Sequence, residues 1–234
     1  MMRNNKSTIG ISVFAVSFLS FVLFLSFVVW PGTGVSAAVA PNLSLPVPFT
    51  SQAPLAEWKD KRQQDGCEEA AALMAWAWVK GEKKFTKQEW RDKIIKLADW
   101  EKQKYGESRD VALADMAKWI FKDYFSYDKV TVKPVKSAAD ILRELEKGNI
   151  VLTPMNGQAL KNPYFTPPGP ERHMILVKGY DYKTRQFITN DPGTRRGENY
   201  RYSEKVLFGA IRSYQTGSHL PFGKLKKEMI VVEK

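Results

Sequence analysis

Beyond residue 60 the apolar positions recur first at helical spacing and later at strand spacing. Cys67, Ala70, Leu73, Met74 and Ala77 predict a helix running from Cys67 towards Lys80, with Gly81 as its stop. Thr86-Lys87-Gln88-Glu89 has the form of a capping box and opens a second helix through Trp90, Ile94 and Leu97. Asp110 reads as the cap of a third helix, with Leu113, Met116, Ala117, Ile120 and Tyr124 on one face. Ser137 caps a fourth, where Ile141, Leu142 and Leu145 recur before Gly148 ends it. Past Asn149 the period changes. Ile150-Val151-Leu152, Met174 to Val177, Phe187-Ile188-Thr189 and Met229 to Val232 are short β-rich runs, with a hairpin turn at Asp181 to Arg185. Helices followed by strands predict an α+β domain in which a helical half packs on an antiparallel sheet, with chemistry between the halves.

Residues 1–40 differ in kind. Arg3 and Lys6 precede an apolar run from Ile9 to Trp30, and Ala38-Val39-Ala40 fits the small-x-small pattern of an export cleavage site. The run is also long enough to span a bilayer. The segment is therefore a signal peptide or an N-terminal membrane anchor. Either way the remainder is exported, as a secreted or membrane-anchored domain outside the cytoplasm. Residues 41–46 read as a proline-containing linker and 47–234 as one domain without repeats.

The chain has 234 residues, 44% hydrophobic and 26% charged, which excludes wholesale disorder and leaves ample material for a core. One cysteine excludes an intramolecular disulfide framework, and two histidines leave little for a metal site, so no cofactor and no metal are expected. The net charge of +11 suits an anionic cell-envelope surface. Its lysines and arginines are interspersed with acids, however, and no groove-reading motif accompanies them, so no nucleic-acid partner is expected.

An exported chain with an unpaired thiol makes Cys67 the first residue to explain. It follows Gln64-Asp65-Gly66 at a helix start, where backbone N–H groups and the helix dipole favour a thiolate, while Glu68 and Glu69 oppose it. A buried, inert cysteine packing the helix is the plainer reading. His173 opens a strand, and Asp191 closes the next; a hairpin turn near Lys183 brings them together, so that the carboxylate can fix the imidazole tautomer. A core histidine and a turn-forming Asp-Pro-Gly are the alternatives. His219 sits in a loop with no acid nearby in sequence and reads as structural or solvated. The tryptophans read mostly as core.

Five pieces in order carry a resemblance: Val47-Pro48-Phe49-Thr50-Ser51-Gln52, Gln64-Asp65-Gly66-Cys67, Gly148-Asn149-Ile150-Val151, the run from His173 to Asp181, and Ile188-Thr189-Asn190-Asp191-Pro192. From Val47 to about Ile211 the chain resembles the C39-like cysteine peptidase domains, which are papain-like in architecture. The resemblance implies a nucleophile at Cys67, a general base and acid at His173, and an orienting residue at Asp191, with Asn190 as the alternative. It also implies an oxyanion donor at Gln52 or Gln64, with the Cys67 backbone N–H as a second donor. Two features depart from it. Glu68-Glu69 stands where many relatives have Gly-Pro, and there is no exporter or nucleotide-binding motif, so leader processing after Gly-Gly does not follow. The expected activity is that of a thiol hydrolase acting on peptide or protein amide bonds. A catalytically inactive binding module and a cell-envelope amidase on the same framework are the competing expectations.

Overall fold

The computed structural model describes residues 42–234; the expectations for residues 1–40 lie outside them. Among the described residues no helix is long and apolar enough to cross a membrane.

The sheet is antiparallel and runs in the order β2 (Val130–Pro134), β7 (Glu228–Val232), β3 (Ile150–Met155), β4 (His173–Asp181), β5 (Gln186–Asn190), β6 (Tyr200–Ser203). All four predicted runs are strands; β2 and β6, shorter in apolar content, are additional. Within the segment read as a linker, Leu43–Ser44 instead forms β1 and pairs with β4, and Leu45 N donates to Lys178 O. Extended, proline-flanked chain satisfies its backbone there by sheet pairing rather than by water.

Side chains alternate across the sheet. Ile150, Leu152, Met174, Leu176, Ile230 and Val232 face one way, onto α2 (Cys67–Lys80), α3 (Lys87–Tyr105), α4 (Leu113–Met116) and the π-helical turn Ala117–Tyr124 that continues α4. Val151, Ile175, Val177, Met229 and Val231 face the other way, onto α5 (Ala138–Glu146), α6 (Gly157–Leu160) and α7 (Glu204–Ala210). The fold is α+β, as expected, but the sheet is covered on both faces rather than one. The reason is that β3, β4 and β7 are apolar on both faces, which a single helical layer cannot bury. Each buried Leu, Ile or Val adds about 1.5–3 kcal/mol of transfer free energy.

The local signals explain the boundaries. Thr86 and Glu89 form the expected reciprocal capping box of α3, Ser137 and Asp140 form another at α5, and Gly81 closes α2 at a positive φ. Asp110 is not the cap of α4. That helix starts at Leu113, capped by Ala112, while Asp110 takes a left-handed conformation and accepts a hydrogen bond from His219 N. A short turn, α1 (Lys61–Gln64), precedes the α2 start and is capped by Asp60, whose side chain accepts from Arg62 N.

Candidate active site

Gly66 lets the chain pass close to α1 before α2 begins, since a Cβ at this position would run into the Arg62 carbonyl. This places Cys67 at the first turn of α2, on the floor of a cleft of about 650 Å³. His173 enters the same cleft from the start of β4, and the β4–β5 hairpin brings the buried Asp191 against its imidazole. The hairpin turn is the expected one, and a bulge between Val177 and Gly179 shifts its register.

His173 Nε2 is 2.7 Å from Asp191 Oδ1, with both side chains buried. Because the carboxylate accepts, Nε2 carries the hydrogen of this bond and Nδ1 is the nitrogen left for other partners. Asp191 accepts three further bonds: from Gly193 N at 3.0 Å, Tyr202 OH at 2.6 Å and Asn162 Nδ2 at 3.2 Å. Burial alone would raise its carboxyl, but His173 and these donors hold it below the ordinary carboxylate range. Tyr202, beneath it, is pushed up by burial and by the Asp191 charge. Phe165 packs edge-on against the imidazole, ring centres 5.3 Å apart, and so limits its rotation.

Asn190 does not share this task. Its amide donates to Val47 O and Pro48 O, and its oxygen accepts from Asn199 N, so it fastens the segment after β1 to the sheet.

Gln52 lies at the cleft wall. Its backbone N–H donates to Pro192 O, and its side-chain Nε2 donates to Gln63 O at 3.0 Å and Gln64 O at 2.7 Å. Both amide hydrogens are therefore engaged, and one must be released before it can face an oxyanion. The Gln64 side chain also borders the cleft, its Oε1 accepting from Lys61 Nζ.

The thiol is buried, as in the plainer of the two expectations. Burial first, then the Glu68 charge and the Cys67–Glu68 bond, push Cys67 well above an ordinary thiol, with a Met174 backbone N–H opposing. Cys67 Sγ donates to Glu68 Oε2 at 2.9 Å, and Glu68 Oε1 accepts from Tyr214 OH at 2.7 Å. Glu68 and Glu69, which suit a solvated helix end, are both 1% exposed. Glu101 of α3 is buried beside them, pushed up to about 9 by burial and then by Glu68. Burial, Glu101 and Glu68 likewise push Glu69 up.

The rim gathers residues whose sequence context suggested other roles or a choice of roles: Asp110 as a helix cap, His219 as a loop residue, and Pro163 to Pro170 as either a rim loop or a plain connector. Asp110 approaches both Arg172 Nε and His219 Nδ1 at 3.7 Å, so His219 does have an acid near it. The proline-rich segment before His173 contributes Tyr164, Phe165 and Pro170 to the cleft wall. Trp58 also lines the cleft and is 41% exposed, whereas Trp78 and Trp90 are core.

A candidate C39-like peptidase from Bacillus anthracis, solved by crystallography, shares the fold at a TM-score of 0.52 and 16% identity, over 83% of this chain and 99% of the other. No curated protein matches the sequence. The model of the Peptidase_C39 like family matches residues 44–219, a span that takes in Cys67, His173 and Asp191, and the chain belongs to that family.

Proposed function

We propose that the chain is an exported cysteine hydrolase that cleaves peptide or protein amide bonds. The observation that carries this reading is the buried His173–Asp191 pair, whose imidazole lines the cleft that also holds Cys67. Cys67 Sγ gives its proton to His173 Nδ1 and attacks the amide carbon. His173 returns the proton to the leaving amine, and water then clears the thioester with His173 as base. Asp191 stabilises the imidazolium. The Cys67 backbone N–H and one glutamine amide, from Gln52 or Gln64, face the developing oxyanion. Export follows from the character of residues 1–40.

Two other readings have observations in their favour. The raised thiol favours an inactive binding module on the same fold. Lys61, Arg172, Arg195 and Arg196 outnumber Asp65, Asp110 and Glu171 on the cleft wall, which favours an anionic substrate such as a cell-envelope polymer.

The deciding experiment follows alkylation of the single thiol against pH by intact mass, in the wild type and in His173→Ala, together with hydrolysis of a mixed-peptide substrate by the wild type and Cys67→Ala. A hydrolase loses all turnover in Cys67→Ala and alkylates more slowly in His173→Ala. Alkylation indifferent to His173, with no turnover in the wild type, would establish the binding module.

A further inference from the structure

A cysteine–histidine–aspartate mechanism has no task for Glu68, yet Glu68 touches the nucleophile. Its carboxylate is buried, and both oxygens are held. Oε2 takes the thiol hydrogen at 2.9 Å, and Oε1 takes the Tyr214 hydroxyl hydrogen at 2.7 Å. Tyr214 belongs to the segment after α7, which is itself fastened by the Ser213 N to Lys226 O bond. The carboxylate is thus gripped from a different part of the chain, and this fixes which oxygen meets the sulfur. A carboxylate in that position keeps the proton on sulfur, because a thiolate would place two anions in contact. A carboxylic acid in the same position donates a hydrogen bond to sulfur and favours the thiolate.

We propose that Glu68 is a further catalytic residue, a latch on Cys67 that holds the thiol in its resting form as a carboxylate and releases it to His173 as a carboxylic acid. The inference rests on the reading of Cys67 and His173 as nucleophile and base. In the release step Glu68 takes one proton from solvent and the S–H to Oε2 bond breaks. The thiol proton then passes from Sγ to His173 Nδ1, while Nε2–H stays with Asp191. The product is a thiolate–imidazolium pair; nothing is oxidised or reduced.

The titratable groups around Glu68 come from several elements. Cys67 and Glu69 lie on its own helix, Glu101 on α3, Asp110 in the loop before α4, and Tyr214 after α7. Burial, reinforced by Asp110, outweighs the bonds from Cys67 and Tyr214 and pushes Glu68 up to about 7. The latch therefore titrates near neutrality, with release on the acid side.

The test is iodoacetamide modification of Cys67, read by intact mass from about pH 5 to pH 9, in the wild type, Glu68→Gln, Tyr214→Phe and His173→Ala. The wild type is expected to show a step in its rate profile near neutrality. Glu68→Gln is expected to abolish that step and to react about tenfold faster than wild type near pH 8, which corresponds to one unit of thiol pKa. Tyr214→Phe removes a bond that holds Glu68 down, so the step moves to higher pH; this variant carries the test if Glu68→Gln fails to fold. Equal or slower modification of a folded Glu68→Gln, or an unmoved step in Tyr214→Phe, overturns the latch. The two readings separate cleanly. Slowing by His173→Ala with no effect of Glu68→Gln overturns the latch and keeps the triad, whereas acceleration by Glu68→Gln with no effect of His173→Ala keeps the hold of Glu68 on the thiol but overturns its release to His173 together with the triad.

Discussion

Exchanging Asp191 for asparagine tests the most heavily bonded group of the site. Oδ1 accepts from His173 Nε2 and Gly193 N, and Oδ2 accepts from Tyr202 OH and Asn162 Nδ2. An amide oxygen can take over the Oδ1 contacts, but the amide nitrogen then faces the two remaining donors. The Tyr202 hydroxyl can turn and accept. Asn162 Nδ2 cannot, and flipping Asn162 would surrender the bond from Tyr164 N to its Oδ1. One opposed donor pair in a buried site costs about 1–3 kcal/mol, and the surviving bonds lose the extra strength of a charged acceptor. Removing a buried anion returns part of this, so a net loss of about 2 kcal/mol is expected. For a domain of this size that is a fall of about 4–8 °C in melting temperature. The pH dependence has a definite sign. Asp191 lies below its unfolded value, so its contribution is fully present above about pH 4 and is lost as pH falls through the folded value. The deficit of Asp191→Asn should therefore be complete at pH 7 and shrink in acid. Thermal unfolding followed by circular dichroism, at pH 7 and near pH 3, reads both. Equal melting at pH 7, or a deficit that widens in acid, would refute the reasoning.

Two further perturbations follow from close packing and from burial. Gly193→Ala places a Cβ 2.8 Å from both His173 Cε1 and Phe165 Cε1, so the imidazole must shift. Turnover should fall by about a hundredfold, while overpacking costs only about 1–3 kcal/mol of stability; unchanged kcat/KM would show that His173 need not hold its place. Glu101→Gln should stabilise the fold. Among the described residues both Glu101 oxygens are buried without a partner, and the carboxyl is pushed up to about 9, so the folded state retains a proton that the unfolded chain loses above about pH 4.3. Wild-type stability from this group is full below that pH and declines as pH rises towards 9, so the melting advantage of Glu101→Gln should grow between about pH 5 and pH 8. Parallel pH profiles for the two proteins would contradict it.

Much of the fold was legible where periodicity and capping agreed. The α3 box at Thr86 and Glu89, the α5 start at Ser137 and the four apolar strand runs are all local signals, and each lies where expected. The hairpin that joins His173 to Asp191 was also legible, because its turn lies midway between them. What was not legible depended on long-range contact. Asn162 and Tyr202 support Asp191 from 29 and 11 residues away, and neither sits in a distinctive motif. Asp110 resembled a helix cap, but the loop carrying His219 returns to it across 109 residues and takes its carboxylate. Charge alone could not foretell that partnership.

Glu68 and Glu69 show the same limit at the residue that matters most. Two acids in the first turn of a helix are normally solvated partners of its dipole, and that expectation fails here because α2 has no solvated face along its first two turns. The cause is written in the residues that follow. Ala70, Ala71 and Ala72 are consecutive and so point around the whole helix, and Ala75 and Ala77 keep it slender further on. All five are buried, which lets α2 sit between the sheet and α3 with close contact on opposite sides. A helix apolar around its circumference is a buried helix, and its first turn is carried inside with the rest. The acids beside Cys67 are then desolvated by packing that the alanines dictate, and the chemistry of the thiol is set by the core as much as by the cleft.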